Sequence, residues 1–583
     1  MDIFDVLAML GGLALFLYGM DMMGKGLERQ AGNRLQAILE KLTANPAKGF
    51  LLGLATTAVI QSSSATTVMV VGFVNSGLMK LHQACGVIMG ANVGTTVTAW
   101  ILSLSGIEGD SLLLRLLTPS AFSPVLALAG AVMYLFFRRD RVKNAGAILL
   151  GFAILMFGME TMSGAVEPLA GDPGFARLFT MFSNPILGVL TGAVLTAVIQ
   201  SSSASVGILQ ALSATGAVTY ASAIPIIMGQ NIGTCVTALI ASIGASRNAK
   251  RAAFIHLYFN IIGVALFLSL YALADVLFGL PFTAESATEL GIAVVHTCFN
   301  LLATAILLPF SRQLEKLACL TVRDGADDNS PSVALDVRLL NTPAVAVEQS
   351  RRVTVDMART ARKALNAALA LVGRYESGGA EAIGRLEDRL DRYEDSIGAY
   401  LVKLSERELT AEDSRESALL LHMIGDFERI GDHAVNVVEA AQELHEKKIR
   451  FSDSAWRELR MLTNAVTDVL TMAVRAFETG DLALARQVEP LEQVVDELTR
   501  EVKNRHVDRL QSGTCTIQQG FVLADLTNNC ERVADHCSNI AAALIEHAQG
   551  GFEMHGYTGR AAASADFQAS FDAFQGKYRL PDA

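Results

Sequence analysis

Two long stretches of this 583-residue chain hold no carboxylate: no Asp or Glu occurs between Lys41 and Ile107, or between Pro173 and Ala274. A cation held there has only neutral oxygens to meet it, from hydroxyls, amides and backbone carbonyls. Two apolar runs inside those stretches, Gly49 to Ser76 and Gly188 to Gly216, also lack Lys and Arg, so an anion placed there finds no fixed counter-charge. The seven cysteines make no paired framework. Cys85, Cys235 and Cys298 fall in apolar segments, while Cys319, Cys515, Cys530 and Cys537 fall where thiols stay reduced. No GxxxxGK[ST] loop occurs and the charged half is acidic, which leaves no phosphate-cradling loop and no nucleic-acid surface.

Apolar side chains are abundant. Hydrophobic residues make up 51% of the chain and the mean hydropathy is +0.37, too apolar for an ordinary soluble protein of this size. Charge is concentrated at one end: residues 1–344 carry 19 basic and 19 acidic residues, so the whole net charge of −11 lies in residues 345–583. The chain therefore reads as a membrane domain over 1–323, a linker over 324–344, a soluble helical domain over 345–548, and a tail over 549–583 that lacks periodicity and is expected to be disordered. Expected spanning helices are Val6 to Met23, Ala84 to Leu104, Ala121 to Phe137, Ala145 to Met162, Ala221 to Ile243, Ala252 to Leu277 and a last one over Leu290 to Phe310. Each is near the ~20 residues that a bilayer core requires.

The membrane part is written twice. Asn45 to Ala65 and Asn184 to Ala204 share 14 of 21 residues at an offset of 139, and the likeness runs from Gly12 to Ala99 without an insertion. This gives repeats over about 6–144 and 145–283. The best-kept residues are polar: QSSS at Gln61 to Ser64 and at Gln200 to Ser203, then GxNxGTxxT at Gly90 and at Gly229. A polar break in an apolar run is tolerated at bilayer depth only where protein or a cavity surrounds it, so each QSSS run predicts a re-entrant hairpin. Hairpins return to their own side, which leaves three crossings per repeat and inverts the second copy. With the N-terminus outside, sixteen Lys and Arg fall on inner segments against Arg115 and Arg177 outside. That bias places the C-terminal domain in the cytoplasm of a multi-pass cell (inner) membrane protein.

Two amide-and-hydroxyl tips entering from opposite faces suit an oxyanion, and mobile cations would offset its charge. A serine nucleophile would need a base, and no His, Asp or Glu is close to either QSSS in sequence. His256 with Asn260, and His296 with Asn300, share helix faces and read as buried hydrogen-bonded helix contacts. At this point the doubled QSSS and GxNxGT motifs resemble the type II sodium/phosphate cotransporter family over roughly residues 1–315. The resemblance implies sodium-coupled transport of inorganic phosphate and no enzyme activity. It places phosphate on Gln61, Ser62, Ser63, Ser64, Gln200, Ser201, Ser202 and Ser203, and sodium on Asn92, Thr95, Thr98, Asn231, Thr234 and Thr237. Electrogenic members carry an acidic residue soon after a GxNxGT segment; none lies between Thr237 and His256, which argues against a third sodium. Another oxyanion as substrate, or a phosphate sensor that binds without transporting, are the competing readings.

Helical apolar spacing over 345–548 predicts six helices in two sets of three. Each set carries two E-x-x-x-D pairs: Glu387/Asp391 with Glu428/Asp432, and Glu492/Asp496 with Glu531/Asp535. Carboxylates spaced i, i+4 share a helix face, and four brought together need a cation, either a metal or neighbouring arginines such as Arg429 and Arg532. This half resembles the phosphate-signalling regulator PhoU, a pair of three-helix bundles. The resemblance implies a divalent metal, or an iron or zinc cluster, at those eight carboxylates, and leaves open homodimerisation and a phosphate-signalling protein partner. The fold class expected for the whole is all-α: a polytopic membrane domain of two inverted repeats with re-entrant hairpins, then a soluble PhoU-like pair of bundles.

Overall fold

The computed structural model describes residues 2–31, 46–75, 79–106, 118–169, 174, 177, 181–323, 335–549 and 565–580. Apart from one isolated bridge between Thr219 and Ser286, the described residues form helices, turns and loops. The chain divides into two compact units, Met1–Ser330 and Pro331–Ala583.

The first unit runs α1 (Ile3–Ala31), α2 (Pro46–Ile60), α3 (Ser63–Asn75), α4 (Leu81–Gly94), α5 (Thr96–Ser103), α6 (Pro119–Phe136), α7 (Asp140–Val166), α8 (Pro185–Ile199), α9 (Ser202–Ser213), α10 (Tyr220–Ala241), α11 (Arg247–Phe278), α12 (Glu289–Leu307) and α13 (Ser311–Thr321). Among the described residues six stretches are long and apolar enough to cross a membrane, and the expected span over 121–137 falls on the shorter α6. The expected span over 145–162 lies within α7, which begins at Asp140.

Glycines locate the pseudo-two-fold. A Cβ at Gly158 would stand 2.7 Å from the Gly12 carbonyl oxygen, and one at Gly151 would stand 2.8 Å from that of Gly19. Under the 139-residue offset Gly12 is equivalent to Gly151, and Gly19 to Gly158, so the pairing is reciprocal, as a two-fold demands. The pairs run in opposite senses along α1 and α7, which makes these equivalent helices antiparallel and the repeats inverted. Between the glycines lie Phe16 and Leu155, themselves equivalent and both fully buried.

The same device packs each hairpin. A Cβ at Gly94 would meet Thr57 Cβ at 2.7 Å, and one at Gly233 would meet Thr196 Cβ at 2.7 Å. Gly53 and Gly90 press on Val87 and Phe50 carbonyls where α2 crosses α4, and Gly192 and Gly229 press on Ile226 and Val189 carbonyls where α8 crosses α10. The glycines of GxNxGT are thus required by backbone-to-backbone contact. Each hairpin's second arm also packs against the other repeat: α3 on α10, and α9 on α5.

The second unit is six long helices in two sets of three. α14 (Pro343–Gly373), α15 (Ser377–Ser405) and α16 (Ala411–Glu446) pack together, as do α17 (Asp453–Thr479), α18 (Val488–Gln511) and α19 (Ile517–Gln549), and α16 meets α19 between the sets. Two expectations are corrected here. The linker expected over 324–344 is partly built into the first bundle: Leu339 is fully buried and Tyr400 Oη donates to the Asp336 carbonyl at 2.9 Å. The tail expected to be disordered over 549–583 contains α20 (Ala565–Lys577), which docks on α18. Tyr578 and Phe567 are buried, Lys577 Nζ lies 2.7 Å from Asp468, and Gln575 donates to Glu497 at 2.9 Å. A short helix with few apolar residues shows little periodicity, so its anchors were invisible until the bundle supplied a surface.

Candidate functional site

Each QSSS is a helix break built from two local devices. Gln61 (φ 60°) and Gln200 (φ 59°) take the left-handed conformation that ends a helix, their N–H groups donating to Thr57 and Thr196 carbonyls at 2.7 Å. That conformation disfavours any residue with a Cβ. One residue later Ser62 and Ser201 restart the chain as N-caps, their Oγ atoms accepting from Ala65 N–H at 3.1 Å and Ala204 N–H at 3.2 Å. The first N–H groups of α3 and α9, on Ser63, Ser64, Ser202 and Ser203, have no intrahelical acceptor. Their side-chain hydroxyls also have no hydrogen-bond partner among the described residues, although Ser63, Ser202 and Ser203 are buried. Both tips therefore present backbone and hydroxyl donors at the positive ends of helix dipoles, the requirement for an oxyanion.

The GxNxGT residues stand behind the tips. Thr98 Oγ1 donates to Gln61 Oε1 at 2.9 Å, joining the first hairpin to α5. Thr95 and Thr234 hydroxyls donate to the carbonyls of Ala91 (3.1 Å) and Gln230 (3.0 Å), leaving their lone pairs available. Asn92 Nδ2 donates to Asn260 Oδ1 at 2.7 Å while its Oδ1 lies 3.2 Å from His256 Nε2. Asn231 Nδ2 donates to Asn300 Oδ1 at 3.4 Å. The His256/Asn260 and His296/Asn300 pairs are buried helix contacts, as expected, and their partners are the motif asparagines. His256 and Asn260 both meet Asn92, whereas in the second repeat Asn300 meets Asn231 and the His296 ring has no partner among the described residues. A signal was present, since His-x-x-Phe-Asn occurs at His256 and again at His296.

In the second unit the eight carboxylates form two groups. Ligand oxygens of Glu387, Asp391 and Asp432 lie within 4.8 Å of one another, as do those of Glu492, Asp496 and Asp535. Glu428 and Glu531 complete each set less directly. Glu428 faces Arg429 at 3.7 Å, and Glu531 faces Lys503 at 3.4 Å. Burial and then repulsion from Glu489, Asp496 and Asp535 push Glu492 up to about 8. Burial with Glu531 and Asp535 raises Asp496 to about 6, and burial with Asp432 raises Glu428 to about 7. Arg429 also lies 3.5 Å from Asp432, and Arg532 lies 3.8 Å from Asp535; both arginines are exposed. Asp496 Oδ1 is buried with no partner among the described residues. Hard oxygen donors, crowded together with only solvent-exposed cations beside them, fit a divalent cation. His433 and His536 turn away, to Asn529 at 2.8 Å and Asp426 at 2.9 Å.

Comparison with known proteins follows the same division. The Na+/Pi-cotransporter family matches residues 15–164 and 154–286. YqeW of Bacillus subtilis, an uncharacterized protein, is 30% identical over 313 residues, which are 53% of this chain and 96% of its own. The chain belongs to the Na+/Pi-cotransporter family. A PhoU domain matches residues 354–441 and 459–544. The chain is also similar to YjbB of Salmonella typhimurium, whose name assigns it to inorganic phosphate export, at 26% identity over 93% of this chain and 97% of that protein. A shorter match, 36% identical over 98 residues, is to the rat sodium-dependent phosphate transport protein 2A, covering 16% of this chain and 15% of that one. Membership of the Na+/Pi-cotransporter family makes this a membrane protein of phosphate transport and not an enzyme.

Proposed function

We propose that this chain carries inorganic phosphate across the cell membrane together with sodium, holding phosphate between the Gln61–Ser64 and Gln200–Ser203 tips. The observation that supports this most is the pair of helix N-termini, each offering free N–H groups and unpartnered serine hydroxyls in a region with no fixed cation. Asn92, Thr95, Thr98, Asn231, Thr234 and Thr237 supply neutral oxygens for sodium, whose charge offsets the anion. A neutral sodium site strengthens when an anion lies beside it, and that mutual gain is the coupling. The N-terminus lies outside and the PhoU-type unit in the cytoplasm, where it adjusts flux. Glu387, Asp391, Glu428 and Asp432, with Glu492, Asp496, Glu531 and Asp535, hold divalent metal there, which supplies charge neutralisation to the bundles.

Direction follows from gradients. Two sodium ions with divalent phosphate move no net charge, and a tenfold inward sodium gradient is worth about 1.4 kcal/mol per ion. Export therefore requires phosphate to be more than about a hundredfold higher inside than outside, so this carrier relieves phosphate excess and otherwise imports. The test is radiolabelled phosphate flux in proteoliposomes with imposed sodium gradients. Flux should need sodium and resist competition by sulfate, and a Ser63→Ala, Ser202→Ala variant should lose at least tenfold. Sodium-independent flux, binding without flux, or an unimpaired double variant would each refute the proposal.

A further inference from the structure

The two repeats share a sequence pattern but not a hydrogen-bonding state. In the first, Thr57 Oγ1 donates to Thr66 Oγ1 at 3.0 Å, and Thr98 Oγ1 donates to Gln61 Oε1 at 2.9 Å, with Gln61 buried. The offset carries Thr57, Thr66 and Thr98 onto Thr196, Ser205 and Thr237. All three of these hydroxyls are buried and none has a partner among the described residues, while Gln200, the counterpart of Gln61, is exposed. A buried hydroxyl without a partner is costly, and three on adjoining elements call for a ligand.

Their placement says which kind. Thr196 lies in the last turn of α8, whose unpaired carbonyls form the partly negative end of a helix dipole. Its Cβ rests against Gly233, and Thr237 follows Gly233 by one helical turn on the same face of α10. Ser205 stands in the first turn of α9, a helix that packs on both α8 and α10. No charged residue occurs between Arg177 and Arg247, so no side-chain charge within this stretch competes for the oxygens. Hydroxyls beside a carbonyl end suit a small hard cation, whereas an anion is served by the opposite, N-terminal end of α9.

We infer that Thr196, Ser205 and Thr237 form a sodium pocket in the second repeat, and that the first repeat has closed the equivalent space by pairing Thr57 with Thr66 and Thr98 with Gln61. This rests on the sodium-coupled reading above and names three oxygens of one site within it; Thr196 and Ser205 lie outside both sequence motifs.

The test compares two double variants of the full chain in proteoliposomes. Thr196→Val with Ser205→Ala should raise the sodium concentration for half-maximal phosphate flux at least tenfold, with the maximal rate recovered at high sodium. Thr57→Val with Thr66→Ala removes both partners of the Thr57–Thr66 bond and leaves the Ser62 carbonyl, which also accepts from Thr66 Oγ1, still held by the Thr66 N–H. This nearly neutral exchange should shift that concentration by less than about twofold. Thr196→Ser keeps the hydroxyl and should restore the wild-type value. In detergent, sodium chloride but not choline chloride should raise the melting temperature of the wild type, and the Thr196→Val, Ser205→Ala variant should lose most of that rise, a readout that stands even if its flux is lost. Equal shifts from both double variants, or an unchanged melting rise in the second-repeat variant, would overturn the pocket. Wild-type flux indifferent to sodium would instead sink the coupling reading, and the melting comparison then judges the pocket alone.

Discussion

Metal binding by the second unit should expel protons, and the amount can be worked out residue by residue. A carboxyl with a pKa of about 8, such as Glu492, is about nine-tenths protonated at pH 7, and one at about 6, such as Asp496, is about one-tenth protonated. A bound divalent ion holds both as carboxylates, so the second cluster should release about one proton per ion at pH 7. Glu428, at about 7, adds about half a proton from the first cluster. The total for two ions is about 1.5 protons at pH 7, falling to about 0.3 at pH 8.5 as these groups ionise unaided. Titrating metal-free protein with Mn2+ in a calorimeter, in two buffers of different ionisation heat, measures this directly. The sign also predicts stability without metal. Raised carboxyl pKa values mean that the native state binds more protons than the unfolded one, so stability is full below about pH 4.5 for these groups and is lost as pH rises toward 8. Added Mn2+ should flatten that decline. Release below about 0.3 proton at pH 7, or release that does not change between pH 6 and 8.5, would refute the clusters as metal sites.

Other outcomes follow from single contacts. Gly229→Ala would drive a Cβ into the Val189 carbonyl and should lower folded yield sharply, by about 2–3 kcal/mol of stability, whereas Gly11→Ala meets nothing within 4 Å and should be neutral or stabilising in a detergent melting assay. His256→Ala should raise the sodium half-saturation several-fold by freeing the Asn92 amide, and His256→Gln, which keeps a donor near Asn92, should restore most of it; equal effects would reduce His256 to a packing role. Tyr578→Phe removes a buried hydroxyl that donates to Asp468 and should cost the second unit about 1 kcal/mol by denaturant melting, while truncation after Gln549 should cost more because Phe567 and Leu580 lose their burial too.

Much of this architecture was legible before any coordinates, because a bilayer and a helix impose periods and lengths that one chain displays openly. Paired QSSS runs inside apolar segments predicted two hairpins, and the breaks fall where expected, at Gln61 and Gln200. Acidic pairs at i, i+4 predicted shared faces, and three of four in each set converge. Errors came where local composition is mute: the packed segment from Asp336, and α20 in the tail, whose few apolar residues gain meaning only against α18.

Sequence alone determined the duplication, the polar chemistry of the tips and the absence of charged residues in the apolar runs that carry them. Those properties are carried by residue type and spacing, which do not depend on what lies across the fold. Only tertiary structure decided that Asn92 answers to His256 and Asn260, that glycines of GxNxGT exist to let two backbones touch, and that identical motifs sit in unlike states. Partners of a buried polar atom come from distant segments, so whether Thr57 finds Thr66 while Thr196 and Ser205 find nothing is a property of packing, written nowhere in the order of the residues.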